Sequence, residues 1–138
     1  MIVDTSVLLD AFIDTPFTAA ARALFLSGRD LFAPDHLRLE ALGALTRMVR
    51  RGDITPAVAG RIQARLPTFM PNLDSSDALG DRSFALSLEL RHPLCDCVFL
   101  ALAERRDSVL VTHDRKFVRK LAGTPYARHA VHLADWQP

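Results

Sequence analysis

The fold is decided by one short stretch near the end of the chain, Val109-Leu110-Val111-Thr112-His113-Asp114. Its first four residues form an apolar, mostly β-branched run, which predicts a buried strand over residues 109–112. The acid lies two residues beyond that strand, and an amphipathic pattern predicts a helix over residues 114–121. A buried strand, an acid and a helix in this order are typical of an α/β protein.

The amino terminus has the same arrangement. Residues 1–4, Met-Ile-Val-Asp, predict a short buried strand that ends in an acid, and a helix is predicted over residues 6–14. In open parallel sheets, ligands bind beyond the carboxyl ends of the strands. If the two strands are neighbours, Asp4 and Asp114 project into one crevice. Each aspartate alone is better explained as a helix cap, but matching positions on two strands favour a shared site.

The rest of the chain alternates short apolar runs with amphipathic stretches. Further helices are predicted over residues 17–27, 35–51, 56–66, 75–91 and 95–106, and further strands over residues 31–33 and 131–133. The segment 67–73, which is bracketed by prolines, is either an edge strand or a loop. Helical crossovers predict a three-layer α/β/α fold with a central, mostly parallel sheet of four or five short strands. Because no linker or repeat interrupts the pattern, residues 1–138 are expected to form one domain.

Composition limits the functions that are open to the chain. It has 138 residues, 49% of them hydrophobic and 24% charged, which is typical of a globular protein. The longest strongly apolar run, residues 98–103, is too short to cross a bilayer, and the first residues lack the basic segment of a secretory leader. We therefore expect a cytoplasmic protein that does not enter a membrane. Cys95 and Cys97 are spaced poorly for a disulfide and suit small buried positions in a reducing compartment.

The net charge of +1 does not indicate a nucleic-acid partner, but the arginines are clustered. In the long predicted helix, Glu40 lies beside the apolar stripe, and Ala44, Arg47 and Arg51 follow on nearly the same side at helical spacing. A carboxylate, a small residue and two arginines suit a phosphate backbone. Arg115, in a later basic cluster, is a third candidate phosphate contact. A solvated helix face explains the same pattern, and periodicity does not separate the two interpretations.

A further acid, Asp96, lies in the first turn of an otherwise apolar helix. An acid at this position is stabilised by the helix dipole, so capping explains it. Burial of an uncompensated carboxylate in so apolar a segment would nevertheless be costly. Asp96 therefore requires water at the mouth of a crevice, a cation or hydrogen bonds.

Several carboxylates that converge on one crevice indicate a site for a hard divalent cation. Mg²⁺ and Mn²⁺ take oxygen ligands, and one or two such ions support phosphodiester cleavage. The candidate catalytic residues, which are also the candidate metal ligands, are Asp4, Glu40, Asp96 and Asp114. Hydroxyls that could hold these carboxylates or metal-bound water belong to Thr5, Ser6 and Thr112. His113 is a candidate acid or base, although a lone histidine beside a site is more often incidental.

Four segments of the chain resemble the PIN-domain family. They are Met1-Ile2-Val3-Asp4-Thr5-Ser6-Val7-Leu8-Leu9, Leu39-Glu40-Ala41-Leu42-Gly43-Ala44-Leu45, Cys95-Asp96-Cys97-Val98-Phe99-Leu100-Ala101-Leu102-Ala103 and Thr112-His113-Asp114-Arg115-Lys116-Phe117. In order, they resemble the family's first strand with its Asp, its helical Glu, its third acid, and the Thr-x-Asp setting of its fourth acid. The segments cover nearly the whole chain, and the set is far more specific than any one of them. Cys95 and Cys97 depart from the family pattern, which usually has Tyr and Ala there, and leave the acids in place.

The resemblance implies a VapC-type toxin of a type II toxin–antitoxin system. Proteins of this type are Mg²⁺- or Mn²⁺-dependent endoribonucleases and usually homodimers. A VapB-type antitoxin holds them inactive by placing its C-terminal segment in the active-site groove. The resemblance therefore implies an RNA substrate, with Arg47, Arg51 and Arg115 as its candidate contacts.

Other classes of protein account less well for the same residues. A phosphohydrolase of the haloacid dehalogenase kind would have a second Asp two residues after Asp4, where this chain has Ser6. A receiver domain would have a Lys at a late strand end, but Lys116 and Lys120 fall in the helix after Asp114. The remaining alternative is a non-catalytic PIN scaffold that binds RNA or a protein partner, and metal binding in the crevice would distinguish it from a nuclease.

Overall fold

A parallel sheet of five short strands forms the centre of the computed structural model, which describes residues 1–137. The strands are β1 (Ile2–Val3), β2 (Phe32–Pro34), β3 (Asn72–Asp74), β4 (Leu110–Thr112) and β5 (Ala130–His132). The helices are α1 (Thr5–Asp10), α2 (Thr18–Phe25), α3 (Leu37–Arg51), α4 (Pro56–Arg65), α5 (Gly80–Leu90), α6 (Leu94–Arg105) and α7 (Arg115–Leu121). The strand order is β3-β2-β1-β4-β5, and every pairing is parallel.

Helices cover both faces of the sheet, which confirms the expected three-layer α/β/α fold. Successive side chains of a strand point to opposite faces, so β1 and β4 contribute to two cores. Ile2 and Leu110 pack in the larger core, with residues of α3, α5 and α6. Val3 and Val111 pack in the smaller core on the other face, with residues of α1 and α2. In α6, every residue of the run 97–103 is buried, which explains why this helix is apolar on all sides.

The structure confirms that the two strands ending in acids are neighbours. β1 pairs with β4, and Val3 lies opposite Val111. From β1 the chain proceeds to β2 and β3 on one side of the sheet, whereas β4 and β5 lie on the other side. The strand order therefore reverses between β1 and β4. In an α/β sheet such a reversal opens a crevice beyond the carboxyl ends of the two strands.

Three predicted segments differ from the structure. The helix predicted over residues 6–14 ends at Asp10. The Thr15 hydroxyl donates to Oδ1 of Asp10, and the Thr18 hydroxyl donates to the carbonyl of Ile13. These side-chain hydrogen bonds favour a turn over a further helical turn. The ambiguous segment 67–73 divides into a 3₁₀ turn, Leu66–Phe69, and the start of the edge strand β3. The helix predicted from residue 75 begins at Gly80 after a second 3₁₀ turn, Asp77–Leu79.

No helix in the described part of the chain has both the length and the apolar character that a membrane crossing requires.

Candidate functional site

A cleft of about 540 Å³ opens beyond the carboxyl ends of β1 and β4. Its lining contains the four acids that the sequence predicted, Asp4, Glu40, Asp96 and Asp114. The other lining residues are Thr5, Ser6, Leu9, Ala44, Arg47 and His113. The fold therefore brings together four carboxylates that lie up to 110 positions apart in the sequence.

Asp4 follows β1 directly and caps helix α1. Its carboxylate accepts hydrogen bonds from the backbone N–H of Ser6 at 3.4 Å, from the Ser6 hydroxyl at 3.1 Å and from the Thr112 hydroxyl. Burial nevertheless raises the pKa of Asp4, although these hydrogen bonds oppose the shift. Asp4 is thus a helix cap and a half-buried carboxylate of the cleft at the same time.

The hydroxyl of Thr112 links two of the acids. It donates to Oδ2 of Asp4 and accepts from the backbone N–H of Asp114 at 3.0 Å. The Thr112 side chain is almost fully buried behind the cleft, so it has no other polar environment. Asp114 itself caps α7, since its Oδ1 accepts from the backbone N–H of Phe117 at 2.9 Å. One β4 hydroxyl therefore fixes the relative placement of the carboxylates that follow β1 and β4.

Replacing that hydroxyl tests whether it positions the acids. Thr112→Val keeps the shape of the side chain but removes both hydrogen bonds, and we expect metal affinity to fall about 10–100-fold, as when partners of metal ligands are lost. Thr112→Ser retains the hydroxyl and should stay within a few-fold of the wild type. Isothermal titration calorimetry with Mn²⁺ measures both variants. Equal affinities for the valine and serine variants would contradict this role of Thr112.

Glu40 reaches the cleft from helix α3. Its Oε2 accepts a hydrogen bond from the Thr5 hydroxyl at 2.6 Å, and its Oε1 lies 3.7 Å from Nε2 of His36. Ala44 and Arg47 line the cleft beyond it, as their helical spacing predicted. A side chain larger than that of Ala44 would stand between Glu40 and Arg47, so the small residue keeps this side of the cleft open.

Asp96 lies in the first turn of α6, and its side chain is 44% exposed. Burial raises its pKa to about 6, and the charges of Glu40 and Asp114 add to the shift. A carboxylate whose neighbours are also carboxylates is stabilised by a bound cation, which removes the repulsion. A cation is one of the three kinds of compensation that the sequence analysis required for a carboxylate in this apolar segment.

His92 contacts Asp96 and was missed by the sequence analysis, which interpreted it only as part of a chain break. Its Nε2 lies 2.9 Å from Oδ2 of Asp96, at an angle poor for a hydrogen bond. The ring stacks on Phe117 with centroids 4.1 Å apart, and its Nδ1 faces the ammonium of Lys120 at 3.4 Å. Burial and Lys120 lower the pKa of His92. Since Nδ1 faces a cation, it is the acceptor nitrogen, and the ring proton lies on Nε2, on the side of the ring nearer Asp96. The one sequence signal was the four-residue spacing of a histidine and an aspartate at a helix start.

His113 also has a partner that the sequence did not reveal. Its Nδ1 lies 3.2 Å from Oδ2 of Asp10, a buried residue of α1 whose other oxygen accepts from the Thr15 hydroxyl. Phe17 packs edge-on against the imidazole. Ser6 and Asp10 are one helical turn apart, so α1 presents both to His113, whose backbone N–H donates to the Ser6 hydroxyl. The histidine at the cleft is therefore oriented by a buried carboxylate.

The three arginines proposed to contact phosphate differ in their surroundings. Arg47 lines the cleft. Arg51 is not among the lining residues and forms an exposed ion pair with Asp53 at 2.8 Å. Arg115 is 3.2 Å from Asp135 and 3.0 Å from Nδ1 of His132. The structure brings only the first of them to the four acids.

The residues of the cleft fit a hard divalent cation. Ligand atoms of His92, Asp96 and Asp114 lie within 4.8 Å of one another. Because Nδ1 of His92 faces Lys120 and its Nε2 carries the proton, Asp96 and Asp114 are the donors of this group. The remaining donors at the cleft are carboxylate and hydroxyl oxygens, which Mg²⁺ and Mn²⁺ prefer. Burial raises the pKa values of Asp4 and Asp96, and neighbouring carboxylates add to both shifts, so a bound cation would stabilise the ionised forms.

A parallel α/β sheet with four carboxylates at its switch point defines a class of protein suited to holding a divalent cation against a phosphate-bearing substrate. Residues 1–122 match the family model described as PIN domain, and the chain belongs to the PIN domain family. PIN domains are generally nucleases, and they typically use divalent metals.

Among solved structures, the chain is similar to one described as a toxin–antitoxin complex from Klebsiella pneumoniae. The two chains are 21% identical, the match covers 96% of each, and the TM-score is 0.66. This likeness shows a common fold. A comparison with curated proteins found no match.

Proposed function

We propose that this protein is a metal-dependent endoribonuclease and the VapC-type toxin of a toxin–antitoxin pair. The observation that carries the proposal is the convergence of Asp4, Glu40, Asp96 and Asp114 on one cleft at the switch point of the sheet. A degenerate scaffold without catalysis would have no need for four carboxylates in one cleft, where burial and then the charges of Glu40 and Asp114 raise the pKa of Asp96.

In this proposal the four acids hold Mg²⁺ or Mn²⁺, which supplies Lewis-acid stabilisation of the charge that develops on the phosphodiester. Other residues of the chain position the acids and bind the substrate. Thr5, Ser6 and Thr112 hold the carboxylates in place through their hydroxyls. Arg47 offers a guanidinium fork to a phosphate of the RNA backbone at the edge of the cleft. The same acids repel an RNA backbone in the absence of metal, so we expect binding and cleavage both to require the cation.

A cleavage assay tests the proposal directly. Purified protein, freed of any co-purifying partner, is incubated with labelled cellular RNA in Mg²⁺, in Mn²⁺ and in chelator. Cuts that appear with either metal and disappear in chelator support the nuclease. Folded, partner-free protein that neither cleaves RNA nor binds Mn²⁺ in calorimetry would contradict it and would favour a non-catalytic scaffold that binds RNA or a protein.

The placement of the arginines makes a graded prediction for RNA binding. Arg47→Ala should weaken binding to a non-cleavable RNA and lower the slope of log affinity against log salt by about 1, because one phosphate contact is lost. Arg51→Ala is the matched control on the same helix and should have a smaller effect, since Arg51 is paired with Asp53. Fluorescence anisotropy over a salt series measures both. A salt slope that neither variant changes would mean that this row of arginines is only a solvated face.

The partners and location follow from the proposed toxin function. We propose a VapB-type antitoxin whose C-terminal segment enters the acidic cleft, a proposal supported by a structural neighbour described as a toxin–antitoxin complex. We also propose a homodimer, a single PIN domain over residues 1–138 and a cytoplasmic location, which suits the two free cysteines. Light scattering coupled to gel filtration measures the mass of the protein with and without an antitoxin.

A further inference from the structure

A second group of potential metal ligands lies at the edge of the cleft and contains a different set of donor atoms. A ring nitrogen of His36, a carboxylate oxygen of Glu40 and Sγ of Cys95 all lie within 4.8 Å of one another. His36 and Glu40 are four residues apart and on one side of the start of α3, and Cys95 comes from the first turn of α6. Nitrogen, oxygen and sulfur together are typical ligands of Zn²⁺ and are a poor set for Mg²⁺.

The hydrogen bonds of His36 leave a free lone pair on its Nε2. The hydroxyl of Ser76 donates its one hydrogen to Oδ1 of Asp35. That same hydroxyl oxygen lies 2.7 Å from Nδ1 of His36 and must accept there, so Nδ1 carries the ring proton. Nε2 of a neutral imidazole is then the acceptor atom, and a ligand histidine commonly donates its other N–H in this way.

The free lone pair of His36 faces another electron-rich atom. Nε2 is buried and lacks a hydrogen-bond partner among the described residues, and the nearest carboxylate oxygen is Oε1 of Glu40, at 3.7 Å. The other oxygen of Glu40 is occupied by the Thr5 hydroxyl. Two acceptor atoms at this separation need a cation or a proton between them. Ligand atoms on one tetrahedral Zn²⁺ are separated by about 3.5 Å, so His36 and Glu40 are almost correctly placed.

Cys95 completes the group from the opposite wall. Its thiol is exposed and free, so an ion from solvent can reach it. A metal ion that binds the sulfur displaces the proton of the thiol to water. His92 offers no comparable site, because its Nε2 carries the proton and its Nδ1 faces Lys120.

We propose that His36, Glu40 and Cys95 form a Zn²⁺ site that takes Glu40 away from the acidic cleft and thereby inhibits the protein. The three side chains supply three ligands, and the fourth position is left for water, as in other open Zn²⁺ sites. The Zn²⁺ site itself does not depend on the function of the cleft, whereas the inhibition rests on the proposed nuclease function. Zn²⁺ and the proposed catalytic ion would compete through one shared carboxylate.

Cobalt spectroscopy tests the site without any activity assay. Co²⁺ replaces Zn²⁺ at such sites and gives a thiolate-to-metal charge-transfer band only when sulfur is bound. We expect this band in the wild type, its loss in Cys95→Ser, and its retention in Cys97→Ser, the matched control whose thiol is buried two residues away. Calorimetry should show Zn²⁺ affinity about 10–100-fold lower in His36→Ala and Cys95→Ser. A wild type without the band, or a band that persists in Cys95→Ser, would overturn the proposal.

The inhibitory consequence has a separate readout. Zn²⁺ should suppress Mg²⁺-supported RNA cleavage in the wild type and in Cys97→Ser, and should suppress it much less in Cys95→Ser. If the cobalt band forms but no condition gives cleavage, the Zn²⁺ site stands and the proposed nuclease fails. If cleavage occurs and Zn²⁺ inhibits the wild type and Cys95→Ser equally, the inhibition arises elsewhere and this proposal fails.

Discussion

Asp4→Asn is expected to lower the rate of RNA cleavage by roughly 10²–10³-fold, which is the loss typical when one electrostatic contact to the reacting group is removed. We expect the same variant to unfold no more easily than the wild type. The carboxamide cannot supply the negative charge that a hard cation requires. With its carbonyl oxygen in the place of Oδ1, the side chain still accepts from the backbone N–H of Ser6, so the cap of α1 is preserved. Its amide nitrogen takes the place of Oδ2 and can donate to the Ser6 and Thr112 hydroxyls, which donate to Asp4 in the wild type. Activity and stability therefore respond in opposite directions.

The stability part of this expectation follows from burial. Burial raises the pKa of Asp4, which means that the ionised carboxylate destabilises the metal-free fold at neutral pH. A neutral Asn removes that cost, so the metal-free variant should melt at or above the temperature of the wild type. Adding Mg²⁺ should stabilise the wild type and have little effect on the variant. Differential scanning fluorimetry with and without Mg²⁺ gives both comparisons.

Asp53→Asn is the matched control, because Asp53 is an exposed acid that lies outside the cleft. It should retain cleavage and the response to Mg²⁺. Full activity in a folded Asp4→Asn protein would contradict the proposal that Asp4 is a ligand of a catalytic metal ion. A large loss of stability in Asp4→Asn would show that Asp4 is chiefly a structural cap.

The acids of the cleft could be predicted from sequence because local patterns determine where they lie. Asp4 and Asp114 follow short apolar runs, which predict buried strands. Parallel pairing of these two strands brings the carboxyl ends of the strands together. Glu40 and Arg47 share a helix face through simple periodicity. Resemblance to the PIN family added the correspondence among the four segments, and the family model that matches residues 1–122 confirms the family itself.

The contacts of His36 and His92 could not be predicted, because they come from distant segments of the chain. His36 and His92 each precede an acid by four residues on a helix, yet their rings carry the proton on opposite nitrogens. Ser76, which is 40 positions from His36, fixes one ring. Lys120, which is 28 positions from His92, fixes the other. No local pattern in the sequence encodes either contact.

The edge strand β3 also depends on contacts that are distant in the sequence, so its own residues did not decide between a strand and a loop. Its few residues have little strand character, and pairing with β2 determines its conformation. Asp74 at its end forms an ion pair with Arg106, whose guanidinium also lies 3.7 Å from the centroid of the Phe32 ring. A long-range contact with the residue that follows α6 therefore helps to hold this strand.

Raising the pH from about 4 to about 6 is expected to destabilise the metal-free protein through Asp96 and to increase its affinity for Mg²⁺. The pKa of Asp96 is about 6 in the folded protein, whereas that of an aspartate in an unfolded chain is about 3.9. Between these values the folded state binds a proton that the unfolded state does not, so the free energy of unfolding falls as the pH rises. Above about 6 both states are ionised, and the contribution of Asp96 becomes constant.

Metal binding has the opposite dependence on pH, because Mg²⁺ must displace the proton of Asp96. Below about pH 6 the affinity should fall up to tenfold for each unit of pH, if one proton is released per ion bound. At a Mg²⁺ concentration 100 times its dissociation constant, binding stabilises the fold by about 2.7 kcal/mol, or roughly 10 °C in a domain of this size. We therefore expect a rise in melting temperature of roughly 10 °C with Mg²⁺ at pH 7.5 and roughly half of that rise at pH 5, where the same Mg²⁺ concentration is only about 10 times the dissociation constant.

Comparison with Asp96→Asn isolates this carboxylate from the other titrating groups. Asp35, for example, titrates with the opposite sign, because its hydrogen bonds from Ser76 lower its pKa. The difference in melting temperature between wild type and Asp96→Asn, measured without metal, should widen in favour of the variant between pH 4 and 6 and then level off. A difference that stays constant over this range, together with equal Mg²⁺ stabilisation at pH 5 and 7.5, would mean that Asp96 is an ordinary solvated acid. Asp96 would then not be the carboxylate of the cleft that most requires a cation.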